Sequence, residues 1–240
     1  MYEIILIGAG GHACSCIDVV ELTGQFKIAG LVDKQKTNTK VNFGYSIIGT
    51  DDDLQSLRRE YSYALVTLGQ IKTPGTRSKL FQKLQDLNYI LPVVISPRAY
   101  VSKNARIGEG TIVMHDTILN SNSSVGKNCI INNKVLIEHD SMIGSHCHIS
   151  TGAIVNGGVT VGSGCFIGSG AVTMQSVKIG NNSIIGAGTV VTQDIPDYAL
   201  VVGNPGKIIG WVNKRGNRLS FNNKGEQIWG IVQPTNFGGT

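Results

Sequence analysis

The chain has 240 residues, 41% of them apolar, a formal charge of +5 and five cysteines. That length allows one large or two modest domains with a sizeable core, and an odd number of cysteines is better read as thiols than as a disulfide framework. The mild basicity, partly from Lys207, Lys214, Arg215, Arg218 and Lys224, lacks the dense run and aromatic interleaving of a nucleic-acid surface, so no nucleic acid is expected as a partner. No run of about eighteen apolar residues is present, and the opening MYEIILIGAGGHA has neither the basic start nor the cleavage signal of a secretory peptide. A cytoplasmic, reducing location without membrane insertion is expected.

In chain order, EIILIG reads as a first strand, GAGGHA as a glycine turn, ACSCIDVVEL as a helix and FKIAGLVD as a second strand closing on Asp33. YALVTLG reads as a third strand ending at Gly69, and TRSKLFQKLQDLNY as a helix with Leu80, Leu84 and Leu87 on one side. This alternation predicts a small parallel sheet with helices over it, spanning residues 1–92. Gly8, Gly10 and Ala13 stand at the G-x-G-x-x-[GA] positions between strand and helix, where backbone amides and a helix N-terminus receive phosphate. Asp33 stands where an acidic residue meets a ribose hydroxyl. The domain is close to half of a full dinucleotide fold, which favours a nucleoside diphosphate over a dinucleotide.

From 93 to 195 the pattern changes. Every sixth residue from Ile95 to Val191 is aliphatic except Thr173, and two residues before each stands a small or β-branched side chain. A period of six fits neither a helix nor simple strand alternation; it suits coils of three short strands joined by tight corners, eighteen residues to a coil. Gly108, Gly126, Gly144, Gly162 and Gly180 recur at that spacing and are expected as corners with unusual backbone angles. Cys129, Cys147 and Cys165 share the spacing and are expected as small buried residues of the interior. Residues 196–240 follow, polar with isolated aromatics beyond 211, and are expected as an extension lying against the coils or a neighbouring subunit.

The runs VTVGSGCFIGSGAV and VKIGNNSIIGAGTVV resemble the left-handed parallel β-helix of hexapeptide-repeat acyltransferases, and IPDYALVVGNPGKIIG resembles the exit from such a helix in bacterial acetyltransferases. A short Rossmann-like domain bearing GAGGHA ahead of those repeats is similar to the nucleotide-sugar acetyltransferases, including the bacillosamine-pathway enzymes and their sialic acid O-acetyltransferase relatives. The resemblance implies an α/β Rossmann-like βαβ domain followed by a left-handed β-helix. It further implies acetyl-CoA as co-substrate, no metal, a nucleotide-linked amino sugar as acceptor, and a homotrimer with active sites between subunits. The nucleotide sugar would be held by Gly10, Gly11, His12, Asp33, Lys34 and Gly69.

INNKVLIEHDSMIGSHCHIS, residues 131–150, holds His139, His146 and His148, with Glu138 and Asp140 flanking the first. None of the three histidines falls in an interior column, so all are expected on the outside of the prism or at its corners. His139 and His148 are nine residues apart, half a coil, which puts them on opposite sides at a separation on the order of 10–15 Å. One chain cannot close a tight metal shell with both. The same fold includes the zinc-binding γ-type carbonic anhydrases, but their H-x4-H pair is absent. A histidine beside a carboxylate suits general-base chemistry instead. Asn132, His139, Asp140 and His148 match the N-x6-H-[ED]-x7-H motif of the nucleotide-sugar acetyltransferases. By that resemblance His139 is the base, Asp140 its orienter, Asn132 a substrate contact and His148 a contact to acetyl-CoA, with Ser169 and Ala187 in the cofactor groove. Asp140 stands where Glu is common, which shortens its reach. Cys147 belongs to an inward column and is not expected as a nucleophile. The expected activity is N-acetylation of a nucleotide-linked amino sugar, with a 4-amino-4,6-dideoxy sugar on UDP as the leading acceptor. O-acetylation of a sialic acid or other sugar hydroxyl, and a non-catalytic nucleotide-sugar sensor, are the alternatives.

Overall fold

The computed structural model describes residues 1–34, 40–41, 43–221 and 227–228. Strand β1 (Tyr2–Ile7) is buried from Ile4 onward, the pattern of a central strand covered on both faces. It lies between β2 (Phe26–Val32) and β5 (Tyr63–Val66), parallel to both. The sheet carries two further strands, β3 (Lys40–Val41) and β4 (Tyr45–Gly49), in the order β3-β4-β2-β1-β5. Helix α1 (Gly11–Thr23) starts two residues before the expected ACSCIDVVEL, with Gly10 as its N-cap, and stops at Gly24 in the left-handed conformation. A short helix α2 (Leu54–Leu57) follows β4, and α3 (Gly75–Asp86) follows β5. Cys16, Ile17 and Val20 of α1 pack with Ile4, Leu6 and Leu31, whereas Leu80, Phe81 and Leu84 of α3 pack with Ile5, Ile7 and Val66. The sheet is therefore sandwiched, with α1 on one side and α3, joined by Leu54 of α2, on the other. The third strand ends at Val66, so Gly69 lies in the loop beyond it.

Beyond residue 93 the chain winds into a three-sided parallel β-helix of two-residue strands. The first face stacks Val94–Ile95, Ile112–Val113, Ile130–Ile131, His148–Ile149, Phe166–Ile167 and Ile184–Ile185. The second runs from Tyr100–Val101 to Val190–Val191, the third from Arg106–Ile107 to Lys178–Ile179. In each strand the second residue points inward and is aliphatic except at Thr173, and partners in successive coils are eighteen residues apart. Cys129, Cys147 and Cys165 are fully buried in the second column, as expected. Each fully buried aliphatic side chain contributes about 1.5–3 kcal/mol, so the repeating column is the main stabiliser of this half.

The glycines need a correction. Gly108, Gly126, Gly144, Gly162 and Gly180 do not have positive φ; a Cβ on any of them would stand 2.4–2.7 Å from the backbone of the next coil. They are glycine because the coils approach closely along that edge. The unusual angles sit two residues later: every sixth residue from Gly110 to Gly188 has φ between 52° and 74°, among them Asn122, Asp140 and His146. Asn and Asp tolerate this left-handed conformation better than most residues, which explains their frequency at the corners.

The first face is where the two halves meet. Val94, Ile112, Met114 and Ile130 share a buried cluster with Cys16, Val19 and Val20 of α1. The second face turns an apolar column outward: Tyr100 and Ile118 are exposed, and Leu136, Ile154, Val172 and Val190 half-buried. Ala199–Val202 continues the first face beyond Ile184–Ile185, and Lys207–Trp211 pairs antiparallel with it. The next turn reaches back to the N-terminal domain, where Thr73 Oγ1 donates to the Lys214 carbonyl at 3.1 Å. That contact is with the domain of the same chain, and the extension beyond 228 lies outside the described residues. No helix among the described residues is long and apolar enough to cross a membrane.

Candidate active site

His139 and Asp140 occupy the edge between the second and third faces, opposite the face that carries the N-terminal domain. The His139 side chain is 62% exposed, and its Nδ1 lies 2.8 Å from Asp140 Oδ2. An ionised carboxylate only accepts, so Nδ1 carries the proton and Nε2 is left as an outward-facing acceptor. The shorter Asp side chain closes the contact because its backbone sits in the left-handed corner, φ 59°. The bond to Asp140 raises the His139 pKa, desolvation opposes it, and the charges of Asp140 and Glu138 add to the rise. Asp140 is held below the usual carboxylate range, first by a hydrogen bond from Asn122 and then by His139. Asn122 Nδ2 donates to Asp140 Oδ1 at 2.6 Å, and Asn120 Nδ2 donates to Glu138 Oε2 at 2.8 Å, both from one coil earlier. One coil later, a Cβ on Gly157 would stand 2.8 Å from His139 Nε2, so the imidazole lies in space that only glycine leaves.

The residues predicted to hold the nucleotide sugar at the glycine turn gather near the junction of the two halves. Gly8 to His12, Asp33, Lys34, Asp51, Thr67 to Gly69, Thr76 and Leu80 line a cavity of about 430 Å³ at the carboxyl ends of β1, β2 and β5. Gly8, at φ 117°, is the sterically required glycine of the turn, since a Cβ there would strike Leu68; at Gly10 and Gly11 a Cβ would meet nothing within 4 Å. Those two positions leave bare backbone facing open space at the N-terminus of α1, a cradle suited to a phosphate. The Asp33 carboxylate accepts from Ala9 N at 2.7 Å and from Lys34 N at 2.6 Å, tying the glycine turn to the end of β2. A second cavity, about 510 Å³, shares His12 and Gly69 with the first and adds Gln70, Ile71, Lys72 and His148.

His148 keeps the expected position outside the prism but is not open to solvent. It is only 7% exposed, because the loop after β5 covers it. Its Nδ1 meets the Gln70 carbonyl and therefore donates, which leaves Nε2 to accept from Asn132 Nδ2 at 3.2 Å. Burial is the main cause that pulls its pKa down to about 4. His12, its neighbour across the junction, is pulled to about 3 by burial, then by the charges of Arg77 and His148. His146, at a corner with φ 60°, is half-buried and accepts on Nδ1 from Asn128 Nδ2 at 3.0 Å. His146 is thus held by Asn128 of the preceding coil, and His148 jointly by Asn132 of the β-helix and the Gln70 carbonyl of the neighbouring domain.

Sequence reasoning missed the residue that organises this junction. Arg77 of α3 is 1% exposed and donates to the carbonyls of Val66 and Leu68 and to the Asn128 side chain at 2.6–2.9 Å. It joins the end of the third strand to the β-helix. Nothing local marks it. Asn122, Asn120 and Gly157, by contrast, stand eighteen residues from Asp140, Glu138 and His139, and the coil period could have found them. On the edge between the first and second faces, Ser169 and Ala187 are exposed one coil apart, and Ser169 Oγ lies 2.9 Å from Ser150 Oγ. Flanking Gly168, Gly170, Gly186 and Gly188 leave that edge nearly free of side chains. Among the described residues no group of three or more His, Cys, Asp or Glu could hold a metal ion.

Comparison with known proteins agrees with both halves. Residues 3–84 match the PglD N-terminal domain, residues 140–174 the bacterial transferase hexapeptide repeat, and residues 158–193 the hexapeptide repeat of succinyl-transferase. No curated protein matches the chain. Among solved structures, PerB from Caulobacter crescentus, in complex with CoA and GDP-perosamine, is 35% identical over 88% of this chain and 98% of its own, with a TM-score of 0.82. The acetyltransferase domain of PglB from Neisseria gonorrhoeae FA1090 is 32% identical over 87% of this chain and 100% of its own, also at 0.82. WeeI from Acinetobacter baumannii AYE is 27% identical over 87% and 100%, at 0.78.

Proposed function

This chain belongs to the nucleotide-sugar N-acetyltransferases that join a Rossmann-like domain to a left-handed β-helix, and from that premise we infer its reaction and the roles of its residues. It is an acetyl-CoA-dependent enzyme that acetylates the amine of a nucleotide-linked amino sugar. The observation that carries the assignment of His139 as base is its pairing with Asp140, which fixes the proton on Nδ1 and presents Nε2 as an acceptor on an open edge. The sugar amine attacks the thioester carbonyl carbon, His139 Nε2 takes the amine proton, and the carbon–sulfur bond breaks to release CoA. Asp140 stabilises the imidazolium that forms. Backbone N–H groups of the next coil, beside Gly157, support the developing oxyanion. No acyl-enzyme is required, and Cys147, fully buried with its pKa pushed up by burial, is unsuited to form one.

The nucleotide sits in the cavity of the glycine turn, with Gly10, Gly11, His12, Asp33, Lys34 and Gly69 around it. Asn132 lies toward the acceptor, and acetyl-CoA runs along the bare edge of Ser169 and Ala187 toward His148. Within one chain these groups face away from His139. A second copy completes the site: the outward apolar column of the second face, Tyr100 to Val190, supports packing of β-helices side by side as a homotrimer, setting His139 of one subunit against the cavity of the next.

CoA release is measured with acetyl-CoA and 4-amino-4,6-dideoxy sugars linked to UDP, GDP and dTDP. Release with at least one amine, and none with its N-acetylated form, is expected. Release with sialic acid or sugar hydroxyls alone would replace the reading with O-acetylation, and binding of a nucleotide sugar without release would replace it with a sensor.

A further inference from the structure

Asp140 is itself held. Both of its oxygens are engaged in different directions: Oδ2 meets His139 Nδ1 at 2.8 Å, and Oδ1 accepts from Asn122 Nδ2 at 2.6 Å. Asn122 and Asp140 occupy the same left-handed corner in successive coils, φ 58° and 59°, so their side chains leave the edge in the same direction, one above the other. We propose that Asn122 is a positioning residue for this acetyl transfer: by clamping the second oxygen of Asp140 from the coil below, it keeps the first on His139 and so keeps Nε2 aimed at the acceptor.

The residue type fits that task. Asp140 is 57% exposed and has two rotatable bonds, so a single contact to an equally exposed imidazole would be lost much of the time to water. Asparagine supplies an N–H donor without charge. A lysine there would hold the carboxylate but cancel its field at the imidazole, and a second carboxylate would repel it. The other charged group facing His139 is Glu138, engaged by Asn120 and by the His139 backbone N–H at 3.3 Å. From the coil above come Gly157 and Gly158, and from the coil below Ser121, all without charge. Asp140 is therefore the movable charge beside the base, and Asn122 its restraint. The hydrogen bond from Asn122 is also the leading cause of the low Asp140 pKa.

This inference rests on the reading of His139 as the base, and its test separates the two. Asn122→Gly removes the amide while leaving a residue that adopts the left-handed corner without strain. The titration of His139 is followed by NMR in protein with isotope-labelled histidine, assigned by its loss in His139→Asn. In Asn122→Gly the His139 midpoint falls by about half a pH unit. In the Asp140→Asn background the same change moves it no further. Turnover shows a kcat about fivefold lower with KM for the nucleotide sugar unchanged, and the acid limb of the pH profile follows the NMR midpoint. An unchanged midpoint in Asn122→Gly, or an equal shift with and without Asp140, would overturn the proposal. If the wild-type protein turns over no amino sugar, the function reading fails while the NMR result still decides the clamp.

Discussion

Two regions of this molecule use histidine in opposite ways. At the junction of the halves, His12 and His148 are packed under the loop after β5 near the buried guanidinium of Arg77, and their pKa values are pulled to about 3 and about 4, mainly by burial. On the far edge, His139 stands in solvent beside a clamped carboxylate and its pKa is raised. The junction histidines are neutral at pH 7, and His148 serves there as a fixed donor and acceptor; the edge histidine gains affinity for a proton. The contrast shows that the imidazole ring sets neither role: desolvation suppresses the charged form, and a nearby carboxylate in an open site promotes it.

The largest effect that tests this contrast is His139→Asn. A general base contributes about 10²–10⁴ in rate, so kcat falls by that factor with the assembly retained on size-exclusion chromatography. Turnover within threefold of wild type would move the base elsewhere, with His148 next to be examined.

Arg77→Met probes the junction and is expected to act on stability. It strips the Val66 and Leu68 carbonyls and Asn128 of buried charged donors, and each such loss is worth about 1.5–3 kcal/mol. A drop of about 3 kcal/mol or more in denaturant unfolding is expected. The His139–Asp140 pair makes no contact with Arg77, so the NMR midpoint of His139 in the folded variant stays at the wild-type value.

Acid separates the two regions by sign. For His12 and His148 the folded pKa lies below the ordinary value near 6.5, so the unfolded chain binds more protons between the two values. Their contribution to stability is present above about pH 6.5 and is lost as pH falls toward about 4 and about 3. The slope is about 1.4 kcal/mol per pH unit for each histidine. For His139 the folded pKa is raised, so its contribution is present below pH 6.5 and lost as pH rises; its activity has the reverse dependence, because the base must be neutral. Urea midpoints measured from pH 7 to 4 should therefore fall, and His148→Phe should flatten the fall. The acid limb of kcat/KM should lie above pH 6.5 and be insensitive to His148→Phe.

What the sequence revealed follows the same division. The six-residue period locates every inward side chain of the β-helix, because each coil repeats one local geometry and the solvent side and core side alternate in register. It also separates Cys147 from the histidines around it. The pair His139–Asp140 was legible because its members are adjacent in the chain. The junction was not. Arg77 reaches Asn128 across fifty-one residues and His148 meets Gln70 across seventy-eight, so no local pattern connects them. The repeat sets His148 outside the prism, and the N-terminal domain that covers the first face then buries it. Strand β4 escaped as well, since GYSIIG offers a short apolar run without a regular period, and its place in the sheet is set by pairing with β2.

The glycine misreading suggests the smallest and most discriminating test. Gly126 and Gly157 both have ordinary backbone angles and both lack room for a Cβ, but for different reasons. At Gly126 the obstacle is backbone, with Ser145 N at 2.6 Å, whereas at Gly157 it is the His139 ring, with Nε2 at 2.8 Å and Cε1 at 2.9 Å. Backbone stacked in a β-helix cannot move aside without disturbing the coils on either side, so Gly126→Ala should cost about 1–3 kcal/mol of stability and leave kcat per folded molecule unchanged. An exposed imidazole can rotate away at little cost, so Gly157→Ala should leave the unfolding midpoint within error. The rotation takes Nε2 off its line to the acceptor amine, and a misplaced base loses rate: kcat should fall about tenfold, with KM for the nucleotide sugar unchanged. Equal stability losses in the two variants would show that Gly157, like Gly126, serves the stacking of coils and that the ring position is incidental.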